Sequence, residues 1–218
     1  MLFKSAYLGN NEIVKAYKGD TLFYKKSELP EGYTKVKAIY PSSRWSHAYL
    51  WVPFSIDSSM DFELSFKADF YRNNLLYFYN GRSSEQAAVL IYGKGIDVGF
   101  RIGGTAYRSR ATIADGADHI IKYEGKKLYL DNTMILDLSS YGDWSAENIS
   151  LFNYRQTSYA LNAGTSWLRD FRVTKNGKTL LHVQPCLDNN DTPCAYAYGL
   201  NNTYYNAGSG TYAYEPYE

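Results

Sequence analysis

This sequence has few of the groups on which chemistry is usually built. It has two cysteines, three histidines and an almost exact charge balance, with 23 basic against 22 acidic residues and a net charge of +1. A domain that binds phosphate backbones carries a clear basic excess, so no nucleic-acid partner is expected. No apolar run reaches the roughly 18 residues that a membrane-spanning helix needs, so no membrane partner is expected either. The opening MLFKSAYLGNNEIVKAYKGD lacks a basic region followed by an apolar stretch and a small-residue cleavage site, and no signal peptide is expected. Helical periodicity is missing, apart from room for about one turn somewhere in 139–148. His47, His119 and His182 sit in three separate strand-like segments, which places each in a half-exposed strand rather than in a metal site. No Gly-x-Ser-x-Gly elbow and no glycine-rich phosphate loop before a helix occurs. Cys186 and Cys194 are either two free thiols of a reducing compartment or a disulfide that pinches one loop.

What is abundant is aromatic side chain and strand signal. Aromatics make up 17% of the chain, 23 of them Tyr, which supplies a core and leaves rings for the surface. Alternating or β-branched runs recur at roughly ten-residue spacing: DFELSFKADF, LLYFYNG, DVGFRIGG, WLRDFRVTKNG, KTLLHVQP. Turn pairs separate them at Gly103-Gly104, Glu124-Gly125, Asp131-Asn132 and Asn176-Gly177, and VTKNGKTLLHV is the strongest hairpin signal. IIKYEGKKLYLDNTMILDL reads as a three-strand meander. The fold class is all-β, a sandwich or jelly roll.

Residues 1–26 read as a separate N-terminal segment and 27–218 as the main domain. EIVKAYKGDTLFYKK forms one hairpin, and an isolated hairpin is marginal in water. It therefore packs on its own domain or docks on a partner through Ile13, Tyr17, Leu22, Phe23 and Tyr24.

A sandwich can house a glycoside hydrolase, which needs two carboxylates across a cleft. Asp61-Phe62-Glu63 is the nearest match, but Ser65 stands where a third carboxylate of such a strand is expected. Asp61 and Glu63 read as the solvated face of a strand whose other face is Phe62, Leu64 and Phe66. No catalytic residues are assigned. In RWSHAYLWVPF, period two puts Trp45, His47, Tyr49 and Trp51 on one face and Ala48, Leu50 and Val52 on the other. The aromatic face is either core or a stacking platform for sugar rings or a protein partner. As a carbohydrate site it would comprise Trp45, Tyr49 and Trp51, with Arg44 and His47 as polar partners.

LPEGYTKVKAIYPSSRWSHAYLWVPFSID, with Leu29, Pro30, Gly32, Tyr33, Tyr49 and Leu50, resembles the opening of laminin-G-like, concanavalin A-type sandwich domains in structural proteins of tailed phages and prophages of gut bacteria. Pro185, Cys186, Pro193, Tyr196, Tyr205, Asn206, Gly208, Gly210 and Tyr212 resemble that group's C-terminal signature. LLYFYNGR and ISLFNYR resemble two of its internal strands, and the first hairpin resembles a module common in the same proteins. The resemblance implies a concanavalin A-like jelly roll, a non-enzymatic virion component assembled in the host cytoplasm, and a homo-oligomer. Its partners would be other virion proteins and a host surface glycan. Trp51 and Ala197 stand where the group has Asp, and Cys194 where it has Gly, so no metal or other cofactor is expected. The C-terminal NNTYYNAGSGTYAYE is then a closing hairpin rather than a disordered tail. Tyr204 and Tyr205 would end one strand, Asn206 to Gly210 would form a turn of positive-φ glycines, and Thr211 to Tyr214 would return. The last strand is expected beside the first strand of the domain.

Overall fold

The computed structural model describes residues 7–8, 11–12, 15–18, 21–25, 29–42, 48–68, 74–80, 84–92, 97–111, 113, 115–151, 166–208 and 210–217. The chain divides into two compact units, Met1–Glu31 and Gly32–Glu218.

In the first unit β1 (Tyr7–Leu8) pairs with β2 (Asn11–Glu12), and β3 (Lys15–Lys18) pairs with β4 (Thr21–Lys25). The second pair is the expected hairpin. Tyr17 lies opposite Leu22 and Ala16 opposite Tyr24, with a bulge between them that leaves Phe23 outside the paired register. Ile13 lies outside the described residues.

The second unit runs β5 (Thr34–Lys35), β6 (Ala38–Pro41), β7 (Leu50–Val52), β8 (Ile56–Asp57), β9 (Asp61–Ala68), β10 (Asn74–Asn80), β11 (Ser84–Tyr92), β12 (Asp97–Ile102) and β13 (Thr105–Arg110). It continues with β14 (Asp118–Glu124), β15 (Lys127–Leu130), β16 (Thr133–Asp137), β17 (Ser145–Ala146), β18 (Asn148–Leu151), β19 (Ser166–Lys175), β20 (Lys178–Leu187), β21 (Pro193–Tyr198), β22 (Asn202–Tyr204) and β23 (Tyr212–Glu215). Among the described residues there is no helix; the 139–148 segment holds a turn and β17.

Two antiparallel sheets form a sandwich. One has the order β13-β12-β11-β10-β18-β7. The other follows β16-β15-β14-β9-β19-β20-β21-β22, with β5 against the end of β20, β6 against β19, and β23 against β6. Local chemistry sets the hairpins. Asn176 and Gly177 both take positive φ, 52° and 75°, as a tight turn matched to strand twist requires. Glu124 stays in β14, and the next turn is Gly125-Lys126, one residue later than the sequence pattern places it.

The alternation of β9 carries through to packing. Phe62, Leu64, Phe66 and Ala68 are buried, while Asp61, Glu63, Ser65 and Lys67 face outward. Phe62 stacks on Tyr123 at 5.2 Å and meets Phe78 at 5.3 Å, and Phe78 meets Trp144 at 4.7 Å. The core thus joins β9 and β14 of one sheet to β10 of the other. Burial pushes the Tyr123 hydroxyl up to about 12, and it donates to the Ser58 carbonyl at 3.3 Å.

Two expectations are corrected here. The C-terminal stretch folds, but not as a hairpin. β22 pairs with β21, whereas β23 pairs with β6, the buried strand near the start of the domain. Asn206 shapes the connection: its Oδ1 accepts from Gly208 N (2.9 Å) and from Tyr49 N (3.1 Å), and its Nδ2 donates to the carbonyls of Gly208 and Gly210. A side-chain amide that bonds four backbone groups replaces the regular turn, and Gly208 is not among the positive-φ glycines.

His119 is not half-exposed either. It is buried, with Nδ1 2.8 Å from Asp131 and Nε2 3.0 Å from Asp115. Burial opposes its charge, but the two carboxylates outweigh burial and hold its pKa above the ordinary 6.5. Only the imidazolium donates through both nitrogens. A folded-state value above the unfolded one gives stability that is full below about pH 6.5 and lost as pH rises through the folded value. Thermal melting of the domain is therefore expected to fall from pH 6 to pH 9, and His119→Ala to remove that dependence. The substitution should also cost about 2–4 kcal/mol at pH 6. A pH slope unchanged in the variant would place the titrating group elsewhere.

Candidate functional site

The aromatic stretch behaves as period two predicts. Ala48, Leu50 and Val52 are fully buried in the core, and Tyr49 and Trp51 lie on the other side, each half-buried. Arg44, Trp45 and His47 lie outside the described residues. β7 is the edge of its sheet, and the register carries Trp51 across to Ser150, Tyr77, Ala88 and Arg101 on the outward face. The Trp51 ring packs at 5.5 Å on Tyr79, which stacks at 5.8 Å on Tyr77. Tyr77 and Tyr79 are 2% and 1% exposed, so of this cluster Trp51 alone keeps accessible surface. Tyr49 is held by a different partner. Its N–H bonds Asn206, and its carbonyl accepts from Ala207 N at 2.9 Å. The structure thus gives Tyr49 and Trp51 separate settings. The aromatic neighbours of Trp51 were legible in LLYFYN, where period two separates Tyr77 and Tyr79 from the core residues Leu76 and Phe78.

A second feature was not legible. At the edge of the sandwich a shallow cleft of about 430 Å³ is lined by Asp57, Ser58, Ser59, Gln86, Lys126, Asp143, Trp144 and Ser145. Three elements meet there. β8 pairs with β17, with Ser145 opposite Asp57, and the Ser58 amide donates to the Trp144 carbonyl at 2.9 Å. The β14–β15 turn delivers Lys126, whose ammonium lies 2.6 Å from Asp143 Oδ1. Ser58 Oγ donates to the same oxygen at 2.8 Å. Asp57 Oδ1 accepts from Ser59 N at 2.8 Å.

Both carboxyls are held below the usual carboxylate range. The Ser59 hydroxyl does most of this at Asp57, and the Lys126 ammonium does so at Asp143. Two ionised carboxylates serve as acceptors, but neither is poised to deliver a proton, as the general acid of a glycosidase must. Ser58 donates to a carboxylate and not to a histidine base, so among the described lining residues it is not arranged as an activated nucleophile. Asp61 and Glu63 sit on the outward face of β9, and Asp61 Oδ1 accepts from Gly125 N at 3.1 Å. Among the described residues no group of three or more His, Cys, Asp or Glu is placed to hold a metal ion.

His182 belongs to a further outward cluster. It stacks at 5.2 Å on Tyr198, and its Nε2 lies 2.6 Å from Asp170. Burial opposes the charge on Asp170, but His182 and Arg172 outweigh it and lower its pKa. His182 on β20 and Arg172 on β19 thus both engage the Asp170 carboxylate, which reads as a structural contact rather than a reactive group.

No family model and no curated protein matches the sequence. Solved structures do match. The native heptameric SAP-like pentraxin from Limulus polyphemus aligns with a TM-score of 0.51 at 10% identity, over 64% of this chain and 76% of that one. Domains LG4-5 of the mouse laminin alpha1 chain align with a TM-score of 0.50 at 15% identity, over 66% of this chain and 43% of that one. The chain therefore spans less than half the length of the laminin fragment. At such identities the likeness is one of fold, and the fold of this chain is the concanavalin A-like jelly roll.

Proposed function

We propose that this chain is a non-enzymatic binding module that takes a polyhydroxylated, saccharide-type ligand in the Asp57–Asp143 cleft. The cleft carries the reading. It gathers carboxylate acceptors, an ammonium, a carboxamide and three serine hydroxyls over the buried edge of Trp144, which is 6% exposed and packs into the core, and convergent polar groups are what orient a hydroxyl-rich ligand in such a site. Its two ionised carboxylates favour holding over hydrolysis. Trp51 supports a second location, because its partly exposed ring is braced by Tyr79.

A glycan array followed by titration of a hit tests both. Asp143→Ala is expected to weaken binding tenfold or more, as loss of a charged hydrogen bond does, while Trp51→Ala leaves it within twofold. The reverse result moves the site to Trp51, and an array without hits removes the glycan reading.

We further propose that the module works as a subunit of a tailed-phage virion. The Leu29-to-Tyr33 entry and the Asn206-to-Tyr212 signature support this. Gly32, part of that entry, takes a φ of +86°, a conformation that favours glycine. In this reading the N-terminal hairpin, with Ile13, Tyr17, Leu22, Phe23 and Tyr24, supplies the docking contact, and identical copies assemble symmetrically. Light scattering across a concentration series is expected to return a fixed multiple of the chain mass. A strict monomer that binds no capsid or tail protein rejects the virion role.

A further inference from the structure

Cys186 and Cys194 lie directly opposite each other on β20 and β21, and both are fully buried. Their sulfurs are 3.4 Å apart, closer than the roughly 3.5–4.0 Å optimum for non-bonded carbon atoms. Directly opposed residues of an antiparallel pair have Cα atoms about 4.5–5.5 Å apart. A disulfide accepts about 4.4–6.8 Å between Cα atoms and needs about 2.05 Å between sulfurs. The spacing of directly opposed strand residues therefore falls within the range the bond accepts, and the sulfurs already face each other.

We propose that Cys186 and Cys194 are a dithiol–disulfide couple, which closes by exchange with a small-molecule disulfide of the glutathione type. One cysteine sulfur attacks the small disulfide and forms a mixed disulfide, releasing one thiol. The second cysteine sulfur then attacks the protein-bound sulfur and releases the other. The protein loses two protons and two electrons, and the small disulfide takes them up to become two thiols. The bond closes the loop from Leu187 to Pro193. That loop is already ordered by Asp188, which accepts from Asn190 N and Thr192 N at 2.9 Å each and from the Tyr205 hydroxyl at 2.9 Å. Oxidation thus locks a preformed loop rather than reshaping it. The Cys186 sulfur and burial raise the Cys194 thiol above its usual range, so exchange is slow in the folded domain and fast while the chain folds.

The test refolds the full chain from denaturant with glutathione disulfide or with reductant, then unfolds and alkylates it for mass measurement. The oxidised sample is expected to be lighter by two hydrogens and to take up no alkylating agent. Its thermal transition should lie about 5 °C or more above the reduced sample, reversibly. Cys194→Ala, which keeps a small side chain at the position, should show neither the mass loss nor any dependence on reductant. Two alkylated cysteines after oxidative refolding, mixed adducts alone, or a reductant-dependent shift that survives in Cys194→Ala would each overturn the proposal.

Discussion

Removal of residues 201–218 is expected to abolish the cooperative thermal transition rather than lower it. The segment is not peripheral. Tyr212 is 8% exposed and belongs to the core, and β23 bonds the whole length of β6, where Ala38 and Ile39 are fully buried. Outside the ladder, Lys37 N donates to the Glu215 carbonyl at 2.8 Å and Ser42 N to the Thr211 carbonyl at 2.9 Å. Asn206 and Ala207 hold both backbone groups of Tyr49. Arg169 on β19 bridges Glu215 at 2.7 Å and Asp118 at 2.8 Å, and the truncation leaves this largely buried guanidinium with half of its carboxylates. Each lost hydrogen bond is worth about 0.5–1.5 kcal/mol, and each buried group left unpaired costs about 1–3 kcal/mol. Their sum is comparable with the roughly 5–15 kcal/mol by which domains are stable. Calorimetry and near-ultraviolet circular dichroism of residues 1–200 check this. A truncated chain with a sharp transition would show that β6 is stable as an edge and that the C-terminal strand is an accessory.

Phe62→Ala is expected to cost about 3–5 kcal/mol and to lower the thermal transition by about 10 °C. Phe62 is 1% exposed, and its ring touches Tyr123, Phe78, Phe100 and Phe171, from both sheets. Rings packed on every side cannot collapse into the space left, so the cavity persists. Glu63→Ala, one residue along β9 and facing outward, is the control. It should cost less than about 1 kcal/mol, as an exposed charged position does. The pair reads the strand's register, since a slip of one residue would exchange the two results. It also bears on chemistry, because a strand whose inward positions build the core has only its outward carboxylates to offer.

That register was legible in the sequence, and so were most of the strands, because the information is local. DFELSFKA alternates with the period of the pleat. Asn176-Gly177 and Asp131-Asn132 supply the positive φ that tight turns demand, and the structure places turns at both. The separation of Ala48, Leu50 and Val52 from Tyr49 and Trp51 follows from the same period. Tertiary structure decided what depends on residues far apart in the chain. The sequence places Thr211 to Tyr214 as a strand beside the start of the domain, and β23 does pair with β6, but only the closed sandwich shows that the preceding β22 pairs with β21 and not with β23. Asn206 reads as a turn residue until Tyr49, 157 residues earlier, is brought to it. His119 reads as a strand histidine until two turns carry Asp115 and Asp131 to its two nitrogens. The cleft joins Ser58 to Asp143 across 85 residues and adds Lys126 from a third turn. Asp, Ser and Lys are ordinary turn residues in each segment alone. Their chemistry as a group exists only because burial of Phe62, Phe78, Tyr123 and Trp144 forces those turns to one edge of the sandwich.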